Sequence, residues 1–169
     1  MTWTKIKNKM GITNIKLEKQ IKNLNLTRFK GVFSVDELPV KLFASLKPMS
    51  VVCNLSKSSY PRGTHFVSII SDGKNLLYLD PAGKAPFQKY VFDLIKKCKL
   101  TLLYNKRRYQ SQTSVYCGYY CAMFVVLYDP KWSWKWNARL KGFSRRQKKK
   151  ENDKNVISNL NKMSEILAG

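Results

Sequence analysis

The feature that most constrains the fold is the segment 117–128, CGYYCAMFVVLY, which is apolar on all sides. Such a segment has to be buried from every direction, so we expect it at the centre of a core. Its periodicity does not distinguish a buried helix from a buried strand. Its length, and the Asp129-Pro130 stop that follows it, favour a helix.

The other segments alternate between helical and strand patterns. Apolar residues recur at helical spacing in three segments, and short apolar runs bounded by turn residues predict strands. The predicted helices are 13–24 with Thr13 or Asn14 as cap, a helix from Pro86 to about Cys98, and a C-terminal helix at about 153–167; the predicted strands are 49–55, 65–70, 75–80 and 100–104. This order predicts an α+β fold in which helices pack on a small, mainly antiparallel sheet. The length fits a single domain, 1–169.

The charge is strongly unbalanced. Lys and Arg total 32 against 10 Asp and Glu, a formal net charge of +22, so nucleic acid is the partner that we expect. A basic surface that only keeps the protein soluble is the alternative, and an anionic membrane surface is disfavoured because no basic amphipathic helix carries a bulky apolar face. The predicted DNA-contacting residues lie in the segment 131–150 and in the loop before Gln110: Lys106, Arg107, Arg108, Lys131, Lys135, Arg139, Arg145, Arg146, Lys148, Lys149 and Lys150.

The sequence pattern predicts neither a membrane span nor a secretory signal peptide. No apolar run reaches the roughly 18–20 residues that span a bilayer, and no apolar h-region follows the first lysines. Four cysteines are too few for a disulfide scaffold. We therefore expect a protein that is neither secreted nor bound to a membrane.

His65 is the single histidine of the chain, so any imidazole chemistry depends on it. If Asp72 and Gly73 are the two turn residues of a hairpin, His65 faces Asp80 directly, with the Cβ atoms about 4.5–5.5 Å apart. A carboxylate there would fix the imidazole tautomer and stabilise the imidazolium. A three-residue loop would place the two side chains on opposite faces, and a structural role for a lone histidine is the alternative to catalysis.

Cys117 is the candidate nucleophile. If a helix begins here with Ser114 as its cap, the thiol lies at the positive helix end, where the reactive thiolate is favoured. Gly118 would let a substrate backbone approach closely. The Gln110 side chain and the Cys117 backbone N–H would donate hydrogen bonds to a developing oxyanion.

A structural or metal-binding role for the cysteines is the competing interpretation. Cys117 and Cys121 lie one helical turn apart and would also serve as small core residues. Zinc binding is disfavoured, because the sequence holds no C-x-x-C pair and the other ligands are scattered. We expect no metal.

Taken together, these motifs resemble the adenain family, the maturation cysteine proteases of adenoviruses, related large DNA viruses, virophages and virus-like transposons. Proteases that remove SUMO share the fold of that family. The resemblance is carried by Gly63-Thr64-His65-Phe66, by LLYLDPAG with Asp80, and by Gln110 upstream of Cys117-Gly118. It covers about residues 13–128, which would form the catalytic core.

The resemblance implies a papain-like architecture with the nucleophile at the N-terminus of a buried helix, which favours the helix for 117–128. It implies His65 as base, Asp80 as orienting acid, Gln110 as oxyanion donor and Cys117 as nucleophile. The residues expected at a narrow substrate cleft are Gly63, Phe66 and Gly118. The chain differs from the usual family pattern in having Phe66 where a tryptophan is common, and from adenoviral members in having Asp80 where they have glutamate.

The implied function is processing of viral capsid and core precursors during virion maturation, at sites with small residues, often glycine, before the scissile bond. The chemistry would need no cofactor, DNA would act as an activator, and the enzyme would be a monomer in the virion and the infected host cell. Cys98 lies near the peptide-linking cysteine of adenoviral members, so an activating peptide is also considered. The alternatives are a deconjugating protease for ubiquitin-like proteins and a catalytically inert, basic DNA-binding protein.

Overall fold

The computed structural model describes residues 2–4, 11–60, 65–130 and 149–168. The helices in these ranges are α1 (Asn14–Lys22), α2 (Val40–Ala44), α3 (Lys89–Cys98), α4 (Cys117–Leu127) and α5 (Lys149–Ala168). The strands are β1 (Phe29–Ser34), β2 (Met49–Asn54), β3 (Phe66–Ser71), β4 (Asn75–Leu79) and β5 (Thr101–Tyr104). No helix of the described ranges combines the length and the apolar character that a membrane span requires.

The five strands form one sheet in the order β1-β2-β3-β4-β5. The central strands β2, β3 and β4 pair antiparallel, whereas β1 pairs parallel to β2 and β5 parallel to β4. Each edge strand is joined to its neighbour through a helix, α2 or α3, and parallel pairing requires such a crossover. The predicted α+β class is confirmed.

Helices cover both faces of the sheet, and this explains why β2 and β3 are buried along their whole length. One face packs against α1, α4 and α5, and the other against α2 and α3. Within α4, every residue from Gly118 to Val126 is buried. The interpretation of the apolar segment as a central helix is therefore confirmed.

The ends of the helices follow local capping chemistry. Thr13 caps α1 as predicted, its Oγ1 accepting a hydrogen bond from Lys16 N at 3.3 Å. Asp129, the predicted stop of α4, accepts hydrogen bonds from Thr27 Oγ1 at 3.0 Å and Arg28 N at 2.9 Å. It thereby ties the end of α4 to the start of β1. Helix α3 begins later than predicted, and α5 is longer than the predicted 153–167.

The hairpin between β3 and β4 forms, but its predicted register is wrong by two residues. Ser71 pairs with Leu76, so the two turn residues are Gly73 and Lys74. Asp72 stays paired because its Oδ1 accepts hydrogen bonds from Lys74 N at 2.8 Å and Asn75 N at 2.6 Å. The turn therefore begins one residue later than the Asp-Gly pair suggests.

Gly73 occupies the first turn position because no other residue fits there. Its φ is +93°, and a Cβ at this position would lie 2.2 Å from the Leu46 carbonyl oxygen. A shift of two residues leaves each side chain on the predicted face of the sheet. His65 and Asp80 consequently share one face as diagonal neighbours, although they do not face each other directly.

Candidate active site

His65 and Asp80 form a hydrogen-bonded pair at one end of the sheet. His65 immediately precedes β3, and Asp80 immediately follows β4. The distance between His65 Nε2 and Asp80 Oδ1 is 2.7 Å. The histidine side chain is 22% exposed and the aspartate side chain 1%, so the carboxylate lies beneath a ring that still reaches the surface. Since Nε2 is engaged by the carboxylate, Nδ1 is the ring nitrogen left for a nucleophile.

The turn after β4 holds Asp80 in place through both its side chain and its backbone. Asp80 Oδ1 also accepts a hydrogen bond from Ala82 N at 2.7 Å. The Asn105 side chain accepts from Asp80 N at 2.8 Å and donates to Asp80 O at 2.7 Å. Asn105 thus extends the backbone pairing beyond the end of β4, and the sequence analysis did not identify it. A lone asparagine after a strand carries no pattern that would have revealed this contact.

The ring of His65 is also influenced by Cys117. Burial lowers the pKa of His65, but hydrogen bonds to Asp80 and to Cys117, together with their charges, raise it to about 9. The ring therefore remains a positively charged imidazolium at pH values well above those at which a free histidine becomes neutral. The two groups that stabilise the imidazolium are Asp80, the predicted acid, and Cys117, the predicted nucleophile.

Cys117 is the first residue of α4, where the sequence predicted it. Its thiol is half-buried, whereas Cys53, Cys98 and Cys121 are buried. Burial raises the pKa of each of these three thiols. Only the Cys117 thiol, among these four, combines partial exposure with a position at the start of a helix.

The residue that caps α4 differs from the prediction. The N-cap is Tyr116, without a side-chain cap, and not Ser114. Ser114 Oγ instead accepts a hydrogen bond from Tyr116 N at 3.2 Å and so shapes the turn that leads into the helix. The first amides of a helix have no intrahelical acceptor, so the amide of Cys117 can serve as an anion donor.

Gln110 lies in the loop between β5 and α4 and is buried. Its backbone N donates to the Pro81 carbonyl at 3.2 Å, which attaches this loop to the turn that carries Asp80. The side-chain Oε1 is buried and has no hydrogen-bond partner among the described residues. The structure therefore brings Gln110 to the same end of the sheet as the histidine and the aspartate, and its role as oxyanion donor stays a prediction.

Two of the predicted cleft residues face the core. A Cβ on Gly118 would lie 2.7 Å from Ile12 Cγ2 and 3.0 Å from Leu17 Cδ2. The glycine therefore leaves space for these two side chains and not for a substrate. Phe66 is 2% exposed and packs in the same core cluster. The prediction that Gly118 opens the cleft is wrong, because the free side of α4 at this point is covered by the chain itself. Gly63, the third cleft residue, lies outside the described residues.

The predicted DNA-binding residues fall in two regions. Lys106 is exposed, while the Arg107 guanidinium lies over the Tyr109 ring at 5.5 Å and Arg108 Nε donates to Ala82 O at 3.3 Å. These two arginines thus have contacts within the loops of the site. Lys149 and Lys150 begin α5. The remaining predicted positions, Lys131, Lys135, Arg139, Arg145, Arg146 and Lys148, lie outside the described residues.

Within the described ranges, no group of three or more His, Cys, Asp or Glu side chains has the geometry of a metal site. Cys98 is buried on the opposite face of the sheet, with its Sγ 3.8 Å from Val40 O.

Comparisons with known proteins identify the fold. No family model matches the sequence, and no curated protein matches it. The structure is similar to that of the ASFV pS273R protease, with a TM-score of 0.57 and 17% identity over 90% of this chain and 68% of that one. It is also similar to the SUMO protease Ulp1 with the catalytic cysteine oxidised to a sulfinic acid, with a TM-score of 0.53 and 14% identity over 93% of this chain and 77% of that one.

The fold of this chain is therefore the one seen in the ASFV pS273R protease and in the SUMO protease Ulp1. The fold implied by the resemblance to the adenain family is confirmed. Membership of the adenain family itself stays a prediction, because the two similar structures share less than a fifth of their residues with this chain.

Proposed function

We propose that this chain is a cysteine endopeptidase with Cys117 as nucleophile, His65 as general base and Asp80 as orienting acid. The observation that carries the proposal is the position of His65. Its ring is hydrogen-bonded to a buried carboxylate and also interacts with the half-buried thiol of Cys117 at the start of a buried helix. A sulfur, an imidazole and a carboxylate in this order are the minimum for thiol-based acyl transfer.

The reaction follows from these positions. His65 has already accepted the proton of the Cys117 thiol before the substrate binds, because its pKa is raised to about 9, and the Cys117 thiolate beside the imidazolium attacks the scissile carbonyl carbon. The tetrahedral oxyanion receives hydrogen bonds from the Cys117 backbone N–H and the Gln110 side-chain amide. The imidazolium then protonates the leaving amine, and the thioester that remains is hydrolysed by water with His65 again as the base.

The proposed substrates are precursor proteins of a virus or virus-like element, cut at sites with small residues before the scissile bond. Support comes from the similarity of the fold to a protease named for a virus and from the motif resemblance described above. The net charge of +22 supports an enzyme that works beside packaged DNA in the virion and the infected cell, with DNA as an activator. The charge gives no comparable reason for a deconjugating protease.

Site-directed labelling tests the chemistry. The protein is treated with a small haloacetamide near neutral pH, and the labelled cysteine is located by mass spectrometry. Cys117 should react at least about tenfold faster than the three buried cysteines, because only its thiol is partly exposed and assisted by the helix and by His65. His65→Ala should slow the labelling of Cys117 by about tenfold or more.

A matched control separates loss of the base from loss of the fold. Cys98→Ser changes a buried thiol on the opposite face of the sheet and should leave the labelling of Cys117 unchanged. Equal labelling of Cys117 in wild type and in His65→Ala would refute the proposed pair. It would leave a basic protein with an inert protease fold.

Substrate class is tested with three kinds of substrate: capsid precursor proteins, peptides with glycine before the scissile bond, and a ubiquitin-like protein fused at its C-terminus to a reporter. The proposal predicts new N-termini in the first two, absent in Cys117→Ala, and faster cleavage when double-stranded DNA is added. Cleavage of the fusion alone would instead identify a deconjugating enzyme.

A further inference from the structure

The C-terminal helix α5 holds both neighbours of Gln110. Asn152 Nδ2 donates a hydrogen bond to the Tyr109 carbonyl at 3.0 Å. Asp153 Oδ2 accepts from Ser111 Oγ at 2.7 Å, and Asp153 Oδ1 lies 3.4 Å from Ser111 N. Two adjacent residues of one helix therefore bind the residues immediately before and after the proposed oxyanion donor.

The same carboxylate reaches the helix that carries the nucleophile. Tyr120 OH, in α4, donates to Asp153 Oδ1 at 2.8 Å. Burial and the hydrogen bond to Asp153 raise the pKa of Tyr120, so the phenol remains a donor at any working pH. Because Asp153 accepts hydrogen bonds from α4 and from Ser111, it fixes the Gln110 loop relative to the helix that presents Cys117.

The opposite side of the loop is attached to the turn of the catalytic acid. Tyr109 N donates to Pro81 O at 2.8 Å, and Gln110 N donates to the same carbonyl at 3.2 Å. The backbone of Gln110 is thus held between the Asp80 turn and α5. Within the part of the chain that the structure describes, the buried side-chain Oε1 of Gln110 has no hydrogen-bond partner, so the location of the side chain depends on this backbone support.

We propose that Asn152 and Asp153 are positioning residues for the oxyanion donor, acting through the loop 109–111. This inference rests on the proposed function. Hydrogen bonds to an oxyanion act only when the donor is within a few tenths of an ångström of its place, so a loop released on one side would lose transition-state stabilisation before it loses the fold. Asn152 and Asp153 lie far from the other site residues in sequence and touch no reacting atom.

The test is a comparison of two reactions of Cys117 in Asp153→Asn. This variant keeps the volume of the side chain but removes one of the two acceptor oxygens. Peptide hydrolysis should show a kcat lowered by about 10- to 100-fold with KM changed less than about threefold. In the alkylation of Cys117 by iodoacetamide, the sulfur bonds to the methylene carbon and iodide leaves, so no oxyanion forms at the carbonyl and the rate should stay within about twofold of wild type. Asn152→Ala should show the same split to a smaller extent. An unchanged kcat, or an equal loss of both reactions, would overturn the proposal.

A double-variant cycle tests whether the effect passes through Gln110. In a Gln110→Ala background there is no amide left to position, so adding Asp153→Asn should lower kcat by less than about twofold further. Independent effects that multiply in the double variant would contradict the proposed route.

Asn161 provides a matched control on the same helix. Its side chain accepts a hydrogen bond from Trp3 N at 2.6 Å and donates one to Trp3 O at 2.9 Å. At 1.5 Å per residue, Asn161 lies about 12 Å from Asp153 along the helix axis. Asn161→Ala should lower the midpoint of thermal unfolding and leave kcat unchanged. Loss of kcat in this control would mean that α5 acts only by stabilising the fold. Failure of the proposed function is recognised separately, as the absence of His65-dependent labelling in the wild-type protein.

Discussion

The titration of His65 gives the most direct access to the site, because the chain has a single histidine. In an untagged protein, its ring protons give the one histidine signal in a proton NMR spectrum, and the signal needs no assignment. The perturbation is Asp80→Asn, which removes the charge that faces Nε2 while keeping the shape of the side chain. Wild type should titrate with a midpoint at about 9, and the variant at a lower pH.

The magnitude follows from the groups around the ring. Burial lowers the pKa of His65, and hydrogen bonding and charge from Asp80 and Cys117 raise it from 6.5 to about 9, which corresponds to about 3 kcal/mol. One charged partner moves a pKa by about one to three pH units, so the midpoint in Asp80→Asn should fall by that amount. Cys117→Ser should give a smaller fall, because Asp80 remains in place.

The same shift makes the stability depend on pH in a defined direction. The folded pKa of His65 lies above the unfolded value, so its contribution to the free energy of unfolding is fully present below pH 6.5 and is lost as the pH rises through about 9. In urea unfolding, the difference between wild type and Asp80→Asn should therefore be larger at pH 6 than at pH 9.5, by up to about 3 kcal/mol. A wild-type midpoint near 6.5, or a midpoint unchanged in Asp80→Asn, would refute the assigned pair.

Three further outcomes are expected. Gly118→Ala should lower the free energy of unfolding by about 1–3 kcal/mol in urea titrations, because its Cβ would meet Ile12 Cγ2 at 2.7 Å. Adding Ile12→Ala to this variant should cost less than Ile12→Ala costs in the wild type, because the smaller side chain relieves the clash. An unchanged free energy of unfolding in Gly118→Ala would contradict the packing role. Asn105→Ala should lower kcat by about tenfold and also lower the pH midpoint of the His65 titration in NMR, because the backbone N–H and C=O of Asp80 lose their hydrogen bonds to the Asn105 side chain. A fall in thermal stability alone would indicate a structural role. DNA affinity should fall steeply with salt, and a flat plot of log K against log salt would exclude phosphate binding.

The parts of the fold that the sequence predicted are those that depend on pattern within one segment. Helix α4 could be predicted because a segment without a polar side has no position other than the core. The prediction that His65 and Asp80 lie on one face of the sheet is correct although the predicted hairpin register is not. Side chains along a strand return to the same face every two residues, and the register was wrong by two. A slip of one residue would have separated them.

The parts that could not be predicted depend on partners distant in sequence. The role of Gly118 is decided by Ile12 and Leu17, which approach it from another segment, and nothing in its local sequence distinguishes a substrate contact from a packing contact. The turn at Gly73 was displaced by the Asp72 side chain, which satisfies two backbone amides and keeps its own residue in the pairing. Strand propensity likewise does not predict that the edge strands pair parallel to their neighbours.

The polar residues that the sequence analysis missed share one physical task. Each proposed catalytic group lies at the end of a strand or helix, or in a loop beside one, where the backbone ladder stops and its N–H and C=O groups need other partners. Asn105 supplies those partners for Asp80, and Asn152 does so for the loop of Gln110. The side chains that satisfy the backbone are therefore the same ones that fix the geometry of the site. A substitution there should affect catalysis before it affects the fold, since the apolar core around α4 does not depend on it.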